Sequence, residues 1–148
     1  MKEEYFNTTI TVDATPEKAF KCINEVTKWW TENLDGSSQN LHDEFTVRFD
    51  DVHVSTQKVV EFLPYKKIAW LVTDSQLNFI EDKQEWTDTK IIFEVSEKND
   101  KAEILFTHEG LRPDHECFNA CSNAWTQYLR QSLKNFITKD EGRPSPKK

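Results

Sequence analysis

The sequence has 148 residues, of which 36% are hydrophobic, so it is long enough for one domain and too short for two full cores. Its 19 basic and 26 acidic residues give a net charge of −7, which argues against nucleic acid or an anionic membrane surface as the main partner. There is no apolar stretch of about 18 residues and no apolar signal segment, so we expect a cytoplasmic protein. Three glycines are too few for a glycine-rich phosphate loop.

The first elements are a strand and a helix. Residues 7–12 alternate between polar and apolar side chains, which predicts a half-buried strand. Thr15 followed by Pro16 is typical of a helix start, with the threonine as cap and the proline in the first turn. A second short helix or turn is predicted at 25–30, followed by a loop at 34–38.

The middle of the chain is rich in strands. Alternating apolar residues bounded by turn residues predict strands at 45–49, 55–63, 68–72, 84–96 and 104–108. Because short turns join successive strands, we expect an antiparallel meander of about six strands in all.

The last predicted element is a long amphipathic helix from about Asp114, which would cap it, to Thr138. Its apolar residues fall on one arc and its polar residues on the opposite arc at 100° per residue. Residues 139–148 are polar and contain prolines, which predicts a disordered tail. The domain is therefore expected to span residues 1–138.

Aromatic side chains provide more ring surface than one helix packed on one sheet requires. They either fill a closed core or line a pocket with a few polar groups, and we predict the pocket. The predicted ligand-binding residues are Trp29, Trp30, Phe45, Phe49, Trp70, Trp86, Phe93, Phe106, His108, Phe118, Cys121, Trp125, Tyr128 and Ser132.

Two polar residues of this set have alternative interpretations. His108 continues the inward face of its strand, so it contacts a ligand, acts as a general base, or is hydrogen-bonded at the rim of the core. No acid of suitable spacing accompanies it, which disfavours catalysis. Ser132 lies in the apolar arc of the helix and either bonds back to the carbonyl four residues earlier or anchors a ligand.

Cysteine and histidine spacing does not predict a metal site. Cys117 and Cys121 share a helical face, but His115 lies well away from both, and there is no CxxC pair. Three cysteines in a chain without a signal segment indicate thiols in a reducing compartment. We therefore expect no metal and no cofactor, and interpret Cys121 as a small core residue.

Several short motifs, taken in order, resemble a known superfamily. They are Thr15-Pro16-Glu17-Lys18-Ala19-Phe20, Trp29-Trp30-Thr31 ahead of Gly36, Glu61-Phe62-Leu63-Pro64 with Ile68-Ala69-Trp70, Thr107-His108-Glu109-Gly110-Leu111, and Glu116-Cys117-Phe118 through Cys121, Trp125 and Ser132-Leu133. The set resembles the START-like, SRPBCC superfamily, to which the birch pollen allergen belongs, from about Tyr5 to Ile137. The closer match is the branch of the activator of the heat-shock chaperone ATPase.

The resemblance implies an α+β helix-grip fold, in which a curved antiparallel sheet of about six strands wraps around a long C-terminal helix. One or two short helices follow the first strand. The implied function is binding of a small hydrophobic or amphipathic molecule between sheet and helix. Because no catalytic motif accompanies it, we favour a binding protein over an enzyme.

Two alternatives to ligand binding remain open: a chaperone-interacting module, and a cyclase- or hydrolase-like enzyme using His108. The full chaperone activator has an additional N-terminal domain that contacts the chaperone, whereas this chain begins at the first strand, which disfavours that partner. Aromatic residues left outside the core would support a homodimer.

Overall fold

The computed structural model describes residues 5–49, 52–78, 80–81, 83–112, 116 and 118–145. The predicted helix cap Asp114, and also His115 and Cys117, lie outside the described residues. Among the described residues, no helix is both long and apolar enough to span a membrane.

Over the described residues, one antiparallel sheet contains seven strands. They are β1 (Phe6–Val12), β2 (Leu34–Gly36), β3 (Glu44–Phe49), β4 (His53–Leu63), β5 (Lys67–Leu77), β6 (Lys90–Lys98) and β7 (Lys101–Glu109). The strand order is β1-β7-β6-β5-β4-β3-β2, so each strand from β2 to β7 lies beside the next one in sequence. The predicted antiparallel meander is confirmed, and pairing of β1 with β7 adds the first strand at the far edge.

The largest differences from the predicted boundaries are at β2, β5 and β6. β2 lies in the segment predicted as a loop, β5 extends five residues further, to Leu77, and β6 begins only at Lys90. β2 has only three residues, too few for an alternating pattern to reveal. It ends at Gly36, whose φ of +105° and closeness to the Glu44 carbonyl leave no room for a Cβ atom.

The first helix, α1 (Pro16–Asn24), begins as predicted. The Thr15 hydroxyl oxygen accepts a hydrogen bond from the Lys18 amide at 3.1 Å, and the helix buries Phe20 and Ile23. A short 3₁₀ turn (Val26–Lys28) follows, and it delivers Trp29 and Trp30 to the interior, where both are buried.

Two irregularities of pairing accompany the curvature of the sheet. The register between β4 and β5 shifts between Thr56 and Gln57, and again between Val59 and Glu61. Bulges of this kind bend a strand and increase its local twist, which lets a sheet wrap around a helix. The concave face then carries the buried residues of each strand, and the C-terminal helix packs against it.

The C-terminal helix has three parts: α2 (Phe118–Gln127), a π-helical segment (Tyr128–Leu133) and α3 (Lys134–Lys139). A π-helix forms i to i+5 hydrogen bonds, so it is wider than an α-helix and shifts the residues that follow around the axis. The helix ends at Asp140, whose φ of 58° is left-handed. The predicted long helix is thus confirmed from Phe118 onwards, but its π-helical segment was not predicted.

Ser132 ties this π-helical segment to two distant parts of the chain. Its hydroxyl donates to the Trp29 carbonyl at 2.6 Å and accepts from the Arg143 amide at 2.7 Å. The predicted bond to the carbonyl four residues earlier is not present, since the hydroxyl reaches across to another element rather than back along its own helix. The serine is buried, and it serves as a structural link between the helix, the Trp29 turn and the residues after the helix.

Residues 140–145 run back along the domain. The Ser145 amide donates to the Trp30 carbonyl at 2.9 Å, and the Ser145 carbonyl accepts from the Glu32 amide at 2.8 Å. These contacts form a parallel bridge between Thr31 and Ser145. They lie within the range 139–148, for which the sequence predicted disorder.

Replacing Ser132 by alanine tests its linking role. We expect Ser132→Ala to lower the free energy of unfolding by about 1–3 kcal/mol, because the buried Trp29 carbonyl and the partly buried Arg143 amide lose their partner. Chemical denaturation measures the change. Ser122→Ala is the matched control, since the Ser122 hydroxyl bonds only locally to the Asn119 carbonyl, and we expect a change within about 0.5 kcal/mol. Equal effects of the two substitutions would contradict the interpretation.

Candidate functional site

A cavity of about 200 Å³ lies between the C-terminal helix and the concave face of the sheet. Its lining consists of Trp30, Phe49, His53, Trp86, Ala120, Cys121, Ala124, Trp125 and Tyr128. Ala120 and Ala124 are exposed, so the cavity opens to solvent beside these two small residues. An engineered apolar cavity of about 150 Å³ binds benzene, so this volume suits one substituted ring.

The lining residues come from three parts of the fold. Phe49 ends β3 and His53 begins β4, where the two are directly paired across the ladder. Trp86 lies in the turn before β6, which the sequence had predicted to be strand. The helix contributes residues spaced by three and four positions, from Ala120 to Tyr128, which is the spacing of one helical face.

Stacked indoles form the inner wall of the cavity. The ring of Trp125 stacks on Trp86, with centroids 5.8 Å apart and an interplanar angle of 11°. Its other neighbour, Trp30, lies 4.9 Å away at 28°, and Trp30 in turn stacks on Trp70. Offset stacking of this kind is favourable beyond the burial of apolar area, so the wall is a connected unit.

His108 fixes the edge of this wall through directional hydrogen bonds. The Trp125 indole N–H donates to His108 Nδ1 at 3.1 Å. Since an indole nitrogen only donates, Nδ1 must be the acceptor and Nε2 carries the proton. Nε2 then donates to Thr89 Oγ1 at 2.9 Å, and that hydroxyl donates to the Trp86 carbonyl. The chain of bonds joins the helix, the sheet and the Trp86 turn.

His108 faces inward, as the alternation of its strand predicted, but it does not line the cavity. It is fully buried and both of its ring nitrogens are engaged. A general base needs a nitrogen within reach of a substrate proton. In this arrangement, His108 supports the wall instead.

His53 is the histidine that lines the cavity. Its ring packs edge-to-face between Phe49, at 5.0 Å, and Trp86, at 4.6 Å. Its Nε2 bonds Ser55 Oγ at 2.8 Å. Burial lowers the pKa of His53 from 6.5 to about 3, because the apolar surroundings disfavour the imidazolium form, so the ring is neutral at pH 7.

The other polar atoms of the wall bond to protein groups. The Trp86 indole N–H donates to Cys121 Sγ at 3.3 Å. Burial raises the pKa of Tyr128, and a hydrogen bond with the Ser145 side chain partly offsets this increase. The segment 140–145 therefore contacts the lining at Tyr128 as well as at Trp30.

The structure brings part of the predicted ligand-binding set to the cavity. The lining includes Trp30, Phe49, Trp86, Cys121, Trp125 and Tyr128. The remaining predicted residues lie elsewhere, in or against the core: Trp29, Phe45, Trp70, Phe93, Phe106, His108, Phe118 and Ser132. Whether any of them binds a ligand stays a prediction.

Three lining residues were not predicted: His53, Ala120 and Ala124. His53 was missed because the strand was predicted to begin two residues later. It is followed on the same face by Ser55 and Gln57, which are polar and look exposed in the sequence, although both are buried. The two alanines could not be predicted as lining residues, because a small residue indicates a cavity only when the large residues packed around it are known.

A metal site finds no support in the described residues. They contain no group of three or more histidine, cysteine, aspartate or glutamate side chains placed to hold an ion.

The pKa of His53 predicts a pH dependence of stability. Between pH 6.5 and about 3 the unfolded chain protonates this histidine and the folded chain does not, so stability falls as the pH falls through this window. When the pH is lowered from 7 to 5, we expect protonation of His53 in the unfolded chain to lower the free energy of unfolding by about 2 kcal/mol. His53→Phe should remove this part of the dependence. Urea denaturation at both pH values measures it.

His42→Asn, at an exposed histidine, is the control for this experiment and should keep the wild-type dependence. If His53→Phe lost as much stability as wild type between pH 7 and 5, the buried neutral state of His53 would be refuted.

The directions of the bonds at His108 predict its tautomer. We expect nitrogen-15 chemical shifts to show a neutral ring with the proton on Nε2, because Nδ1 accepts from Trp125. The measurement is a long-range proton–nitrogen correlation spectrum at pH 7. Observation of an Nδ1–H tautomer or an imidazolium would contradict the hydrogen-bond chain.

Comparison with known proteins gives structural matches only. No protein-family model matches the chain, and no curated protein sequence matches it either. Among solved structures, the chain is similar to the Aha1 dimer from Colwellia psychrerythraea, with a TM-score of 0.77 and 22% identity, covering 94% of this chain and 99% of that one.

Two further structures show the same likeness. Protein SSP2350 from Staphylococcus saprophyticus has a TM-score of 0.72 and 13% identity, covering 97% of this chain and 98% of its own. CalU16 from Micromonospora echinospora has a TM-score of 0.68 and 11% identity, covering 93% of this chain and 75% of its own. At these identities the likeness shows the fold alone, and the predicted α+β helix-grip fold is confirmed.

Proposed function

We propose that the protein binds a small apolar molecule in the cavity between the sheet and the C-terminal helix and holds it away from water. The observation that carries the proposal is the ring-lined volume of about 200 Å³, which opens to solvent beside two exposed alanines. Ligand sites in proteins are usually concave and mostly apolar, with few polar groups.

The chemistry of the lining supports an uncharged ligand. None of the lining side chains carries a formal charge at pH 7, since the pKa of His53 is about 3. A charged ligand would lose its hydration without meeting a counter-charge on the wall, which is costly. Burial of roughly 200 Å² of ligand surface contributes about 5 kcal/mol before the cost of association. Affinities no tighter than about the millimolar range are therefore expected for simple compounds.

The alternative functions have less support. An enzyme using His108 would need that residue at the cavity, whereas it lies behind the wall with both nitrogens bonded. A chaperone-interacting module stays a prediction. Self-association also stays a prediction, with exposed apolar residues such as Leu63 and Tyr65 as the surface to examine.

Closing the mouth of the cavity tests the proposal. We expect the wild-type protein to bind ethylbenzene at millimolar concentration, detected by ligand-observed NMR. Ala124→Phe should weaken binding at least fivefold, because the ring would occupy the opening. Since Ala124 is exposed, the fold should tolerate the change.

Asn123→Phe is the matched control. Asn123 is the preceding residue on the same helix and is exposed, but it does not line the cavity. We expect this variant to bind ethylbenzene like wild type. Equal loss in both variants, or no binding by wild type, would overturn the proposed function.

A further inference from the structure

Two polar atoms on the cavity lining have no hydrogen-bond partner among the described residues. The indole nitrogens of Trp86 and Trp125 and the Tyr128 hydroxyl are engaged with protein groups. Trp30 Nε1 and His53 Nδ1 have none within the part of the chain that the structure describes. Both residues are more than nine-tenths buried. Neither nitrogen is among the fully enclosed unpaired atoms of the described residues, which are Asn24 Oδ1, Gln57 Oε1 and Trp70 Nε1. Since both belong to cavity-lining residues and keep some exposure, they are candidates for contact with a bound molecule.

The bonds around His53 determine the character of its unpaired nitrogen. Gln57 Nε2 donates to Ser55 Oγ. Among the described residues, His53 Nε2 is the one acceptor within hydrogen-bond distance of the Ser55 hydroxyl, so we assign the hydroxyl as the donor to Nε2. A neutral ring that accepts at Nε2 carries its proton on Nδ1. In the orientation that the structure gives the Gln57 amide, its nitrogen faces Ser55 Oγ and its oxygen Oε1 has no partner among the described residues.

Both unpaired nitrogens are therefore donors, since the Trp30 indole can only donate. The matching ligand group is a hydrogen-bond acceptor. A carboxylate would accept strongly, but it would bring a charge into a lining without a counter-charge. A carbonyl oxygen accepts without that cost, and the ring walls and the volume suit one aromatic ring beside it.

We propose that the cavity is selective for a neutral, single-ring aromatic molecule with a carbonyl oxygen, which accepts a hydrogen bond from His53 Nδ1 or Trp30 Nε1. This inference rests on the proposed function, because it names the class of ligand for the same cavity. It adds a specific role for two N–H groups that a purely apolar site would leave unpaired.

Acetophenone and α-methylstyrene form the matched pair of probes. They have nearly the same shape, but a methylene group in α-methylstyrene replaces the carbonyl oxygen. The quantity measured is the ratio of the two dissociation constants, because a ratio compared between variants cancels the different hydration of the two compounds. Titration by NMR gives it for wild type, His53→Phe, Trp30→Phe and the control His42→Asn.

We expect the preference for acetophenone over α-methylstyrene to fall at least fivefold in His53→Phe or Trp30→Phe, because the buried carbonyl loses its donor. The control should keep the wild-type ratio. An unchanged ratio in both variants overturns the inference, while binding of both probes leaves the proposed function standing. If wild type binds neither probe, the proposed function fails, and this inference fails with it.

A second measurement does not depend on any variant being folded. The nitrogen-15 shifts of His53 in the wild-type protein should show the Nδ1–H tautomer, opposite to that expected for His108. An Nε2–H tautomer at His53 would overturn the assignment of a donor to this side of the cavity.

Discussion

The hydrogen bond between the Trp125 indole and His108 determines how the C-terminal helix sits on the sheet. It joins a helix residue to the inner face of β7, and the bonds that follow reach through Thr89 to the Trp86 turn. Because the Trp125 ring stacks on both Trp86 and Trp30, fixing its edge also fixes the two rings beside it. The shape of the cavity wall thus depends on one buried histidine in one tautomer.

The cavity remains open because small side chains of the helix and of β4 lie among large rings and do not fill the space between them. The inner face of β4 carries the buried polar residues Ser55 and Gln57, whereas β3 carries Val47 and Phe45 opposite them. Across the cavity the helix presents Ala120 and Ala124. Interiors are otherwise close-packed, so such a mismatch leaves volume that rearrangement of rigid stacked rings cannot fill.

Much of the fold could be predicted from the sequence, because it follows from periodicity. Alternation placed His108 inward beside Phe106, and the helical spacing of Cys121 and Trp125 gave the packed face of the long helix. The Thr15 cap was also readable, since it needs only local contacts. These features depend on residues a few positions apart.

The remaining features depend on distant partners and could not be read from local patterns. The π-helical segment contains Ser132, whose hydroxyl bonds the carbonyl of Trp29, 103 residues earlier in the chain. The Trp86 turn was predicted as part of a strand because it precedes the alternating residues 91–95, but its conformation is set by Thr89 and His108. Which aromatic residues line the cavity depends on which rings stack on one another, and this stacking is determined by packing between distant parts of the chain.

The bridge between Thr31 and Ser145 has a consequence for the order in which the molecule is assembled during synthesis. Thr31 follows directly on the cavity residue Trp30, whose own carbonyl also accepts from the Ser145 amide. The chain emerges from the ribosome N-terminus first, so 113 further residues must be translated between these two partners. The backbone contacts that Ser145 makes with this segment consequently cannot form until translation has passed residue 145.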